Sequence, residues 1–210
     1  MKFDVDDHLR AAKRCASSLE RDGNLAHAVT LVRSYSTTIE DLWDAVTNAE
    51  RLPRWFLPIS GDLEPGGRYE LEGNASGVIT GCEPPTHLAI TWEFGGDVSW
   101  LDIRLSRDDA GVTHLALTHT ALDSEHWAEY GPGAVGVGWE LAALGLSLYL
   151  AQPTAPKPDE ATFSASREGK SFIAGSSEGW GEAAVASGMT PDAARVACDR
   201  TTAFYTGESS

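Results

Sequence analysis

The order of signals between residues 37 and 150 constrains this chain more than any bulk property. A capped amphipathic helix and a Pro-Arg-Trp-Phe corner come first, a run of alternating strands follows, and an apolar helix at 133–150 closes the series. Strands joined by links too short for a crossover helix pair as antiparallel neighbours. A helix apolar on nearly all sides must be covered on more than one side. The order therefore predicts an α+β fold, a curved antiparallel sheet wrapped around one long C-terminal helix, enclosing a space that small molecules can enter.

The flanks and boundaries follow from local patterns. Residues 6–20 place Leu9, Ala12, Ala16 and Leu19 at helical spacing, with Asp6 or Asp7 to cap the start and Gly23 to end it, which predicts an N-terminal helical extension over 1–25. Residues 27–35 put Val29, Leu31 and Tyr35 on one strand face, with Arg33 as a polar interruption. Thr37-Thr38-Ile39-Glu40 matches a capping box, and its helix buries Ile39, Leu42 and Val46. Pro53 limits that helix, so 52–57 forms a short second helical turn carrying Trp55 and Phe56 to the sheet edge. Strands follow at 68–72, 76–82, 87–94, 98–106 and 112–120, separated by Gly, Asn, Asp and Pro turns, in a meander. The main domain spans 26–151. Residues 152–158 read as a linker and 159–210 as a helical appendage anchored by Phe163, Phe172, Ile173 and Trp180, with Thr190-Pro191-Asp192 starting its last helix. Either this appendage or a second subunit covers the remaining sides of the apolar helix, so a homodimer is one expectation.

Charge and cysteines limit the function classes. With 31 acidic against 16 basic residues and a net charge of −15, the chain lacks the clustered Lys and Arg that nucleic acid or anionic lipid requires. Its start has no basic end followed by an apolar stretch, and its three cysteines are scattered, so a reduced, cytoplasmic protein is expected. The apolar stretch at 134–150 falls short of the roughly 20 residues of a membrane span, carries several glycines and lacks a basic flank; no membrane role is expected.

Several motifs, taken in order, resemble one family. They are Thr38-Ile39-Glu40-Asp41-Leu42-Trp43-Asp44-Ala45-Val46-Thr47 leading to Trp55-Phe56, then Gly66-Gly67-Arg68-Tyr69, then Gly77-Val78-Ile79 with Pro85-Thr86-His87-Leu88-Ala89-Ile90-Thr91-Trp92. Leu117-Thr118-His119-Thr120 and Gly138-Trp139-Glu140 complete the set. Residues 26–150 thus resemble the START-like, or Bet v 1-like (SRPBCC), superfamily, in the group of the activator of Hsp90 ATPase homologues. The resemblance implies a helix-grip fold with a pocket between sheet and last helix, used for hydrophobic ligands, for polyketide-type cyclisation or for contact with a chaperone. The superfamily shares no common catalytic residue, so the fold alone does not assign a reaction.

Candidate chemistry is correspondingly sparse. His119 falls on the strand face of Leu115 and Leu117, where a desolvated imidazole can exchange a proton with a ligand or serve as a hydrogen-bonded core residue. Tyr35, Tyr69 and Arg33 are candidate orienting donors. Trp55, Phe56, Trp92 and Trp139 are candidate walls of an apolar site, or core. Glu93 and Asp102 have the parity of solvent-facing residues rather than of a catalytic carboxylate pair. No spacing suits a metal, and no phosphate loop or dinucleotide fingerprint is present, so no cofactor is expected. The sequence favours binding of a hydrophobic small molecule through Tyr35, Trp55, Phe56, Tyr69, Trp92, His119 and Trp139. It leaves open a cyclase or hydratase using His119 as acid or base, and a chaperone-interacting module.

Overall fold

The computed structural model describes residues 4–207, which form an α+β fold of the helix-grip type. Eight strands make one sheet in the order β1-β2-β8-β7-β6-β5-β4-β3, where β1 is Ala12–Arg21, β2 Asn24–Tyr35, β3 Ile59–Gly61, β4 Arg68–Leu71, β5 Ser76–Glu83, β6 His87–Phe94, β7 Asp97–Arg107 and β8 Thr113–Leu122. From β3 to β8 every neighbour follows in sequence and pairs antiparallel, the meander that the short turns predict. The helices are α1 (Val5–Arg10), α2 (Ile39–Thr47), α3 (Glu125–Tyr130), α4 (Gly133–Ala151), α5 (Glu160–Ala165), α6 (Arg167–Ala186) and α7 (Pro191–Thr206).

The N-terminal region corrects the sequence expectation. Helix ends at Arg10, and residues 12–21 are a strand. Ala12 and Ala16 are buried, but a spacing of four returns to the same side in a strand as well as in a helix, so the pattern does not discriminate. The deciding feature is Asp22-Gly23, with φ of 52° and 78°, a two-residue hairpin turn joining β1 to β2 rather than a helix stop. A smaller correction concerns α2: the N-cap is Thr38, which accepts from the Asp41 amide at 3.2 Å, while Thr37 instead donates to the Asp41 carboxylate at 2.5 Å. Helix α3 and strand β3 are too short to leave a periodic signal.

The chain packs as two compact units, whose boundaries fall within β2, β8 and α4 and in the linker that follows α4. The first comprises residues up to 31, 122–141 and those from 158 onward. In it the N-terminal half of α4 is packed through its glycines. A Cβ on Gly136 would overlap the Trp180 ring of α6, one on Gly133 would meet Thr201 Oγ1 of α7 at 2.5 Å, and one on Gly138 would meet the Tyr205 hydroxyl at 2.7 Å. Of the four expected anchors of the appendage, Phe172, Ile173 and Trp180 are wholly buried, while Phe163 is half-buried with its ring 6.4 Å from that of Phe172. Glu140, also wholly buried, is ion-paired to Arg14 of β1, whose Nε donates at 2.8 Å, and accepts from Ser176 Oγ at 2.7 Å and Trp180 Nε1 at 3.1 Å. By length and composition α4 is apolar enough to cross a membrane, a test that core helices also pass. Its central carboxylate, bonded by a strand and a second helix, is that of a core helix.

The second unit holds residues 32–121 and 142–157. Side chains and backbone of the same unit hold its part of α4. Tyr35 donates its hydroxyl to the Ala143 carbonyl at 3.3 Å, the Trp55 carbonyl lies 2.8 Å from where a Cβ on Gly145 would stand, and Arg51 donates to the Tyr149 hydroxyl at 2.9 Å. Arg51 also bonds Asp41 and Asp44 at 2.9 and 2.8 Å, so one guanidinium ties α2 to the end of α4. Beyond α4, Arg54 donates to the Pro153 carbonyl at 2.8 Å and Lys157 to the Phe56 carbonyl, which holds the linker against the Trp55-Phe56 corner.

Candidate functional site

Strand register builds the candidate site within the second unit. Leu88 pairs with Ile103, Ile90 with Leu101 and Trp92 with Ser99; on the next strand pair Leu101 faces His119, Ile103 faces Leu117 and Leu105 faces Leu115. These residues therefore share one sheet face. Its middle is closed apolar core, with Leu101 at 3% and Leu117 at 8% exposure. Toward the β6–β7 turn the face changes character: Trp92, Ser99 and His119 all retain partial exposure.

Three side chains meet there. Ser99 Oγ lies 3.1 Å from the Trp92 carbonyl, to which it can donate, and shares a hydrogen bond of 2.7 Å with His119 Nε2. The Trp92 and His119 rings lie 5.9 Å apart at 59°. Burial pushes the His119 pKa down to about 4. At neutral pH the ring is uncharged: it has no imidazolium proton to give, and its conjugate acid is too strong for it to be an effective base.

The other residues expected at a binding site have their polar atoms engaged by main-chain carbonyls. Tyr35 is buried on Ala143, and burial raises its pKa to about 12. The Tyr69 hydroxyl donates to the Thr91 carbonyl at 2.7 Å, and burial raises its pKa too. Trp55 donates Nε1 to the Ala45 carbonyl at 2.9 Å and stacks on Phe56 at 5.5 Å. The structure thus brings together Trp92 with His119, and Trp55 with Phe56. Trp139 lies in the first unit, half-buried on α4. Arg33 is buried 5.9 Å from the Tyr35 ring. Ser99 escaped the sequence reading, although the parity of Leu101 and Ile103 places it on the same face.

Two Ser-His-Asp constellations invite a catalytic interpretation and do not sustain it. In the first unit Ser18 Oγ lies 3.0 Å from His27 Nδ1, and His27 Nε2 lies 2.8 Å from Asp123, with Trp127 stacked on the imidazole at 4.2 Å. In the second unit the same order recurs as Ser34 with His114 at 2.8 Å and His114 with Asp108 at 3.0 Å. Such repetition marks a cross-strand bonding habit, also seen where His87 meets Asp102 at 2.7 Å. Asp102 is further bonded by Arg104, and Glu93 by Arg68 at 2.7 Å, so neither carboxylate belongs to an acid-base pair. Among the described residues no group of three His, Cys, Asp or Glu could hold a metal ion.

Known proteins give this geometry its context. The family described as Activator of Hsp90 ATPase homolog 1-like protein matches residues 36–151, more than half of the chain. The crystal structure of CalU16 from Micromonospora echinospora is 30% identical with a TM-score of 0.67, covering 83% of this chain and 98% of that one. The solution structure of the same protein is 27% identical with a TM-score of 0.64, covering 94% of each chain. MLL2253 from Mesorhizobium loti, at 20% identity and a TM-score of 0.53 over 61% of this chain and 99% of its own, shares the fold. None of the curated proteins matches. The matching of residues 36–151 and the CalU16 likeness over most of both chains agree with the motifs from Thr38 to Glu140: the chain belongs to the Activator of Hsp90 ATPase homolog 1-like family, within the START-like superfamily, with a fold of the ligand-binding or polyketide cyclase-like kind.

Proposed function

We propose that this protein is a cytoplasmic binder of a hydrophobic small molecule, held non-covalently on the sheet face that ends at Trp92, Ser99 and His119. The observation that carries this reading is the change along one face, from closed apolar core at Leu101 and Leu117 to partly exposed rings at Trp92 and His119. Apolar surface of that kind, with a few fixed polar atoms, suits small-molecule sites. Trp92 supplies the apolar contact and His119 the polar one. Tyr35, Tyr69 and Trp55, whose side-chain polar atoms already bond main-chain carbonyls, and Phe56, which stacks on Trp55, would frame the site rather than bond the ligand.

A panel of neutral hydrophobic compounds, followed by thermal shift, tests the reading. At least one should raise the melting temperature of the wild-type protein, and Trp92→Ala should abolish that rise. A flat response across the panel would reject it. The cyclase or hydratase alternative is weakened by the low His119 pKa; it requires a product to form and His119→Ala to stop turnover with the fold intact. Contact with a chaperone is supported by the family's name, and a pull-down without any chaperone would remove it. The motive for a homodimer weakens, because α6 and α7 cover glycines of α4 within the first unit.

A further inference from the structure

Phe94 is the last residue of β6, facing Asp97 across the turn formed by Gly95 and Gly96, whose φ values are 63° and 94°. Regular pairing from His87 to Phe94 puts it on the face of Leu88, Ile90 and Trp92. Exposure climbs along this face, from 9% at Ile90, through the partly exposed Trp92, to 59% at Phe94. The neighbouring strand parallels it, from the buried Leu101 through the half-buried Ser99 to the exposed Asp97. Phe94 thus carries the apolar face of Ile90 and Trp92 out into solvent. Nothing in the turn requires it, because the two glycines supply the backbone conformation.

We propose that Phe94 is a ligand-contact residue at the mouth of the site, capturing the apolar molecule there and packing over it once bound. The inference rests on the binding reading above and extends it by a residue two positions beyond Trp92, about 7 Å further along the strand. The occupant is the same hydrophobic small molecule, in contact with both Trp92 and Phe94. A ring needs no rearrangement of the core to close over such a molecule, only rotation of an exposed side chain.

Fluorescence titration with N-phenyl-1-naphthylamine, a neutral apolar probe, tests this on the full chain. Phe94→Ala should weaken its Kd about tenfold, and Phe94→Tyr should restore near-wild-type affinity. The melting temperature without probe should be unchanged in both variants, because the ring is exposed. Equal affinity of wild type and Phe94→Ala overturns the role of Phe94 while leaving the binding reading in place. Absence of probe binding in the wild type overturns both. A shift in solution mass on Phe94→Ala, with affinity unchanged, assigns the ring to contact between copies and also overturns the proposal.

Discussion

Glu140 carries a carboxylate where no solvent reaches, so its stability is set by the groups that replace water. Arg14 supplies the opposite charge, and Ser176 and Trp180 fill further acceptor positions. Removing one partner of such a pair leaves an uncompensated buried charge. Arg14→Met should therefore cost about 3–5 kcal/mol in urea unfolding. The double variant Arg14→Met/Glu140→Gln should recover most of that, because a neutral amide still accepts from Ser176 and Trp180. A double variant no more stable than Arg14→Met alone would show that the charge is not the cause. His119 makes the second prediction at this scale. Its folded pKa of about 4 lies below the ordinary histidine value of about 6.5, so between those pH values the unfolded chain binds more protons than the folded one. Stability should fall as pH drops through that window, by up to about 1.4 kcal/mol per pH unit, and His119 should contribute nothing to the pH dependence above it. Unfolding free energies at pH 7 and pH 5 check this: the difference should be smaller in His119→Gln than in wild type, and equal differences would contradict it.

Helix α4 shows how an element can be predicted in extent and missed in meaning. Its apolar run marks residues 133–150, and the helix spans Gly133–Ala151. The glycines, which look like a weakness in helix propensity, are contact points, and their partners lie tens of residues away in sequence. No local pattern announces that Trp180 needs the space at Gly136. The same limit applies at the candidate site. The alternation of β6 to β8 reveals which residues share a face, including Leu101 and His119, but the bond between Ser99 and the His119 imidazole depends on strand register. Strand β1 is not legible in the sequence because two alanines four residues apart fit either periodicity, and only the Asp22-Gly23 turn separates the two. A sign test follows for the glycine contacts. Propensity alone predicts that Gly136→Ala stabilises a helix by about 1 kcal/mol. Overlap with the wholly buried Trp180 ring predicts the reverse, a loss of about 1–3 kcal/mol. Chemical denaturation decides, and a stabilised Gly136→Ala would show that the ring has room to move.

At the scale of the whole molecule, the family match ends at residue 151, yet the likeness to CalU16 covers 83% of this chain, so part of what lies outside 36–151 belongs to the shared fold. The first unit gives the physical reason. Without α6 and α7, Glu140 loses Ser176 and Trp180, and Gly133, Gly136 and Gly138 lose the side chains packed on them. The three large buried anchors Phe172, Ile173 and Trp180 leave with the appendage, and each such side chain is worth about 1.5–3 kcal/mol of burial. Together they come to about 4.5–9 kcal/mol, comparable to the 5–15 kcal/mol that holds an ordinary domain together. A chain ending at residue 152 should therefore lack the cooperative thermal transition of the full chain and should lose its near-ultraviolet aromatic dichroism. A truncated chain that melts cooperatively at the full-length temperature would show that the helices after the linker are a separable attachment rather than part of the core.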